Sequence, residues 1–185
     1  GAIAHLGAKP VFVDTGNDMN INEDKIEEVI TKKTKAIVPV HWAGRVANMT
    51  KIMEIAKKHK LMVVEDSAQS MGSYYDGKHG GTFGNSGCIS FHPLKNLNAL
   101  GDGGMLLTND IAVYDRVKIF RNHGLESRDN CVSFGINSRL DVLNAEVLNY
   151  RLGKLNQIVV KRRKNVNAYR NLITAKDIQN EDSNW

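Results

Sequence analysis

Short apolar runs alternate with helical stretches along this chain, and each run ends abruptly in a polar loop. Val63-Val64-Glu65-Asp66-Ser67-Ala68-Gln69 closes one run, and Ser90-Phe91-His92-Pro93-Leu94-Lys95-Asn96 closes another. Alternating strands and helices in short units indicate a mostly parallel sheet, because parallel neighbours need a long crossover that a helix supplies. Strands are expected over 10–14, 36–40, 61–64, 88–91 and 105–108. Pro39 lacks an N–H for a ladder, which points to an edge position or a strand end. Helices are expected after an Asn22 cap, near 49–59, from Asn109 and Asp110 to about Asn122, and from about Leu140 onward. The expected fold class is α/β, a three-layer α/β/α sandwich around a mostly parallel sheet.

Composition narrows the class of protein. The 185 residues are 42% hydrophobic and 24% charged, enough for one domain with a full core or a domain plus an appendage. No run approaches the roughly 18 apolar residues of a membrane span, and the start lacks the basic and apolar regions of a signal peptide. Cys88 and Cys131 show neither metal-ligand spacing nor a disulfide framework, so no metal site is expected and a reducing cytoplasm fits. Cys88, inside an apolar run, is expected to be a small buried hydrophobe. The net charge of +5 concentrates in Arg151, Lys154, Lys161, Arg162, Arg163, Lys164 and Arg170. Leu155, Ile158, Val159, Val166, Tyr169 and Leu172 form a helical stripe among them, so these charges read as the solvated face of a helix and not as a nucleic-acid footprint. No nucleic-acid or membrane partner is expected.

In an open α/β sheet, ligands bind in the crevice beyond the carboxyl ends of the strands. Lys95 and Asp66 are both delivered there. A lysine and an aspartate are the two groups a pyridoxal 5'-phosphate (PLP) enzyme needs, the lysine for a Schiff base and the aspartate to pair with the protonated pyridine nitrogen. A partly desolvated lysine loses affinity for its proton and becomes a competent nucleophile. Alone, Asp66 reads equally well as a helix N-cap. Gln69 lies one helical turn from Asp66 if a helix begins there, and could donate to the cofactor's phenolic oxygen; a solvent-facing glutamine fits the spacing nearly as well. Ser90 and Asn137 are weak candidates for the cofactor phosphate, since lone residues of these types usually serve turns and caps.

Several ordered motifs carry a resemblance: Glu65-Asp66-Ser67-Ala68-Gln69, Gly84 through Leu97, Gly101-Asp102-Gly103-Gly104, Pro39 through Gly44, Arg121-Asn122-His123-Gly124 and Asn137-Ser138-Arg139-Leu140. Together they resemble the DegT/DnrJ/StrS-type sugar aminotransferases, of the aspartate aminotransferase (type I) fold. The resemblance implies that Lys95 is the Schiff-base lysine and Asp66 the pyridinium partner. Gln69 then contacts the ring oxygen and Ser90 the cofactor phosphate, while Asn137 reaches the phosphate of the neighbouring subunit of a homodimer. It further implies transamination of a nucleotide-linked keto-sugar, with glutamate as the expected amino-acid donor. One branch of the family carries histidine in place of the lysine and is a dehydratase; Lys95 favours the aminotransferase branch.

The family is about twice this length. By that comparison the chain starts after a phosphate-binding Gly-Thr/Ser turn and ends before a small C-terminal domain. Residues 1–139 then correspond to part of the PLP-binding large domain and 140–185 to a helical segment leading toward the small one. Two alternatives stay open: a non-catalytic remnant or assembly module, and a PLP-dependent dehydration or aromatisation enzyme of the same family.

Overall fold

The computed structural model describes residues 1–173. In chain order its strands are β1 (Ala36–Ile37), β2 (Met62–Asp66), β3 (Tyr74–Tyr75), β4 (Lys78–His79), β5 (Ser86–Ser90), β6 (Gly104–Leu107), β7 (Leu125–Ser127) and β8 (Asn130–Cys131). Its α-helices are α1 (Ala2–His5), α2 (Met49–His59), α3 (Ile111–Phe120), α4 (Val142–Leu152) and α5 (Leu155–Leu172). The central sheet has the order β1-β2-β5-β6, with β1–β2 and β2–β5 parallel and β5–β6 antiparallel. The α/β class with a mostly parallel sheet is therefore the one the sequence indicates. Pro39 follows the edge strand β1, where its missing N–H costs no ladder bond, and its carbonyl accepts the Asp66 N–H.

Helix α2 makes the βαβ crossover between β1 and β2. The Asn48 side chain caps its start by accepting from the Lys51 N–H, and Lys60 closes its end in a left-handed conformation at φ 55°. Its buried stripe, Met49, Ile52, Ile55 and Ala56, packs with Ile37 and Val63 into one core cluster. A second cluster joins Ile89 and Phe91 to Leu97 and Ala99 of the following loop, and to Leu148 of α4 and Leu155 of α5.

Side chains alternate between the two faces along each strand. Val63 and Glu65 of β2, with Ile89 of β5, point into these cores and are buried. On the other face Val38, Val40, Met62, Cys88 and Leu106 stay accessible. Cys88 is thus exposed, not the buried hydrophobe its apolar run suggests, because it falls on the uncovered parity of β5.

Other sequence expectations change in detail. Residues 10–14 form no paired strand; the nearest pairing is an isolated Thr15–Ile21 bridge, and Phe12 is exposed. Asn22 does cap, accepting from the Asp24 N–H, but the cap leads into two 3-10 turns, Glu23–Lys25 and Glu27–Val29. The helical tail is broken by a turn at Gly153 and Lys154 into α4 and α5. Only the first part of the α5 stripe, Leu155, Ile158 and Val159, is covered, while Val166, Tyr169 and Leu172 are exposed. Residues 174–185 of the expected C-terminal segment lie outside the described residues.

Gly87 shows how tightly β5 is approached from the covered side. A Cβ there would sit 2.1 Å from the Gly81 carbonyl oxygen, a backbone atom that cannot swing aside. Gly87→Ala is expected to destabilise the chain by about 3 kcal/mol or more, since overpacking against backbone has no rotamer to relieve it. Denaturant unfolding checks this, with Gly101→Ala, which meets nothing within 4 Å, as the control.

Candidate active site

The parallel register sets Asp66 of β2 opposite Cys88 of β5, and Ser90 lies two residues further along the same face. Asp66 and Ser90 therefore stand at the carboxyl ends of adjacent strands, on the uncovered side of the sheet. No helix begins after Asp66, so neither the N-cap role nor the helical-turn placement of Gln69 applies. Asp66 Oδ1 instead accepts the Ala68 N–H at 3.1 Å, and the chain turns through 67–73 by Ser70 N–H to Ser67 O and Ser73 N–H to Ser70 O. Gln69 is half-buried, and its Oε1 accepts the Ala43 N–H at 3.0 Å.

Lys95 is half-buried in the loop after β5, where its N–H closes a turn onto the His92 carbonyl at 2.8 Å. Ser90 Oγ accepts the His92 N–H at 3.3 Å, which leaves its hydroxyl hydrogen to donate. Among the described residues no hydrogen bond or ion pair takes Lys95 Nζ. The loop itself is well held. Asn96 Nδ2 donates to Met71 O at 3.2 Å, Phe91 N–H to Gly103 O, and Ala99 N–H to Phe91 O. From α4, Arg151 donates to Asn98 through both its backbone and side-chain oxygens, and Asn144 Oδ1 accepts the Leu100 N–H.

Asp66 and Ser90 thus end the two central strands, and Gln69 and Lys95 lie on the loops that leave them. Asn137 does not join them by any hydrogen bond within the described residues. It is exposed on a strand-like segment bridged to Asn122, with its Oδ1 accepting from Arg139 Nε at 3.1 Å.

On the covered side of these strand ends lie two residues that stand inside the quoted motifs but to which the sequence reading gives no role. Glu65 and His41 are both fully buried, and His41 Nε2 lies 2.9 Å from Glu65 Oε2. Glu65 also accepts the N–H groups of Gly81 at 2.7 Å, Phe83 at 2.7 Å and Gly84 at 2.6 Å. His41 Nδ1 accepts the Ala47 N–H at 3.2 Å, so the ring proton sits on Nε2 and is donated to Glu65. Burial pushes the Glu65 carboxyl pKa up, but the bonds from His41 and from Gly84, Gly81 and Phe83 outweigh it and hold the group below its ordinary value. The signal was present in the sequence as parity: Glu65 shares a face with Val63, so of two adjacent carboxylates one had to enter the core with partners. On the open face the Cys88 thiol is pushed up, first by desolvation and then by the Asp66 carboxylate.

A lysine, an aspartate, a glutamine and a serine at or just beyond the carboxyl ends of the two central strands make up the candidate site. The family whose sequence profile matches residues 1–183 is the DegT/DnrJ/EryC1/StrS aminotransferase family, and the chain belongs to it. It is 43% identical over 174 residues to a pleiotropic regulatory protein of Geobacillus stearothermophilus, covering 94% of this chain and 47% of that one. It is 40% identical over 179 residues to a UDP-N-acetyl-3-dehydro-alpha-D-glucosamine 3-aminotransferase of Acidithiobacillus ferrooxidans, covering 96% and 48%. Among solved structures, NtdA of Bacillus subtilis with bound cofactor PMP superposes with a TM-score of 0.78 at 34% identity, over 83% of this chain and 35% of that one. The chain spans about half the length of the curated relatives it matches.

A depressed carboxyl pKa fixes the sign of a pH effect. Folded Glu65 stays ionised where the unfolded chain has taken up a proton, so its contribution is complete above the ordinary value of 4.5 and is lost as pH falls below it. Glu65→Gln is expected to lower stability at neutral pH and to flatten the loss of stability below that value. Denaturant midpoints measured from pH 7 down to pH 3 check both parts.

Proposed function

We propose that the chain carries the PLP-binding centre of an aminotransferase acting on a nucleotide-linked keto-sugar, with glutamate as amino donor and a homodimer as the working assembly. The single observation behind this reading is the placement of Asp66 and Ser90 on one open face at adjacent strand ends, with Lys95, unpaired among the described residues, on the loop that β5 feeds. The relative from Acidithiobacillus ferrooxidans is named for a 3-aminotransferase of a UDP-linked keto-sugar, and this supports the substrate class.

The donor set fits PLP. Lys95 Nζ is an amine without a competing carboxylate among the described residues, and Asp66 keeps one carboxylate oxygen beyond its bond to Ala68. The Gln69 amide NH2 and the Ser90 hydroxyl hydrogen remain donors once their oxygens are engaged. PLP bound there would supply an electron sink for breaking bonds at a substrate carbon. The chain's own residues do the rest. Lys95 Nζ would hold the cofactor and, once displaced from it by the amine of the donor, would be the free amine that moves a proton as general acid and base. The Asp66 carboxylate holds a proton on the ring nitrogen. Gln69 donates to the ring oxygen, and Ser90 donates to the phosphate. Asn137, exposed and not hydrogen-bonded to this group among the described residues, serves the phosphate of the partner subunit. Residues 1–139 act as part of the large domain, with the helices from 140 bracing the Lys95 loop and leading toward a smaller one. The reaction takes place in the cytoplasm and involves neither membrane nor nucleic acid.

A second reading has one observation in its favour: one face of the sheet, with Val38, Val40 and Met62 on it, is accessible. In that reading the chain is a non-catalytic module that binds PLP weakly. Titration with PLP followed by visible absorbance separates the two, since a bound, covalently attached cofactor is coloured.

Borohydride reduction with peptide mapping is expected to label Lys95 alone, and Lys95→Ala to abolish both label and colour. Label spread over surface lysines would remove the assignment. Asp66→Asn is expected to cost at least a hundredfold in transamination by the assembled enzyme while changing PLP affinity less than tenfold. A neutral amide cannot hold the ring nitrogen protonated, whereas the other contacts survive. Single-turnover rates and PLP titrations measure the two quantities separately.

A further inference from the structure

Glu65 and Asp66 are consecutive on β2, yet they serve opposite sides of the sheet. One short route connects the two sides: His41, the loop after it, and Gln69. That loop is unusually constrained. Ala43 has φ 52° and Gly44 φ 89°, and a left-handed residue with a Cβ persists only where its surroundings enforce it.

Three groups do the enforcing. Buried Asn20 accepts the Trp42 N–H at 2.9 Å and donates to the Arg45 carbonyl at 3.3 Å. His41 Nδ1 takes the Ala47 N–H, and His41 Nε2 is tied to Glu65. The His41 backbone N–H also donates to the Asp66 carbonyl at 3.0 Å, which registers the loop directly on the strand end. Held this way, the loop aims the Ala43 N–H at Gln69. A backbone N–H can only donate, so the atom it meets is the amide oxygen, and the Gln69 NH2 is turned away as the remaining donor. A flipped amide would set donor against donor.

We propose that the buried His41–Glu65 pair is a positioning pair that fixes the orientation of the Gln69 amide through the 42–47 loop. It thereby presents the Gln69 NH2, and not its oxygen, to the ring oxygen of the cofactor. Neither His41 nor Glu65 touches cofactor or substrate; both act through Gln69. The inference rests on the PLP reading above for the identity of the acceptor, while the orientation of Gln69 is a property of the chain itself.

Two measurements test it. The first is amide hydrogen exchange on the cofactor-free chain. Glu65→Gln and His41→Leu are expected to speed exchange of the Ala43 N–H at least tenfold, although that N–H bonds to Gln69 and to neither altered side chain. The α2 amides of Ile55 and Ala56 should stay protected and certify the fold. His41→Asn, which keeps an acceptor for the Ala47 N–H, should restore part of the Ala43 protection. If His41→Leu exposes α2 as well, Glu65→Gln and His41→Asn carry the decision. Unchanged Ala43 exchange alongside released Gly81, Phe83 and Gly84 amides would overturn the proposal, because the pair would then only staple the 81–84 turn.

The second measurement is the ratio of long- to short-wavelength absorbance of bound PLP, which responds to hydrogen bonding at the ring oxygen. Gln69→Leu is expected to change that ratio by about tenfold, the equivalent of one charge-assisted hydrogen bond. Glu65→Gln should move it the same way by at least threefold, and should add nothing on top of Gln69→Leu. An additive effect would overturn the proposal. Failure of the unaltered chain to bind PLP would overturn the functional reading instead, and Ala43 exchange would still decide whether the pair sets Gln69.

Discussion

One carboxylate organises this molecule from inside. Glu65 collects the His41 ring N–H and three backbone N–H groups in a space closed to water. A buried ion of this kind is stable only when its acceptor sites are filled, and removing any partner leaves the remainder exposed to the full desolvation cost. The consequence is geometric. The end of β2, the loop leaving β1 and the glycine-rich turn entering β5 converge on one point; β2 ends in Asp66, β5 ends in Ser90, and the loop after β1 bonds Gln69 through the Ala43 N–H. The glycines of that turn follow from the same convergence, since Gly81 and Gly87 approach each other backbone to backbone.

The two faces of the sheet divide the labour. The covered face carries the cores beneath α2, α4 and α5 and the Glu65 anchor. The accessible face carries Asp66, Cys88 and Ser90 amid Val38, Val40 and Met62. Parallel sheets are ordinarily covered on both sides, and a ligand crevice forms where cover and strand ends meet. Chemistry and packing are thus separated by a single step of the β-strand period.

Much of this was legible in the sequence, for reasons that differ by residue. Helix α2 is legible through the 3.6-residue spacing of Ile52, Ile55 and Ala56, and the structure forms it over Met49–His59 with those residues buried. Lys95 and Asp66 stand out because each breaks an apolar run at its end. Cys88 misleads because an apolar run shows that a strand is embedded in a sheet without showing which face is covered. The Asn22 segment misleads because its cap and acidic first turn fit a 3-10 turn as well as an α-helix. His41 and Asn20 were invisible, since their roles depend on partners 24 and 22 residues away in sequence. Asn137 is a weak candidate by its residue type alone, and its own bonds are local, a bridge to Asn122 and a hydrogen bond from Arg139.

The clasp between Arg151 and Asn98 bears on when the site can form. The two residues are 53 positions apart, and the bond closes the loop that contains Lys95 from a helix laid down much later in the chain. Contacts of such separation form only after their loop-closure entropy has been met by other structure. A chain emerging from the ribosome can pair β2 with β5 and seat Glu65 well before α4 is available. The lysine loop therefore takes its final shape only once Arg151 has joined it, after the sheet beneath has paired.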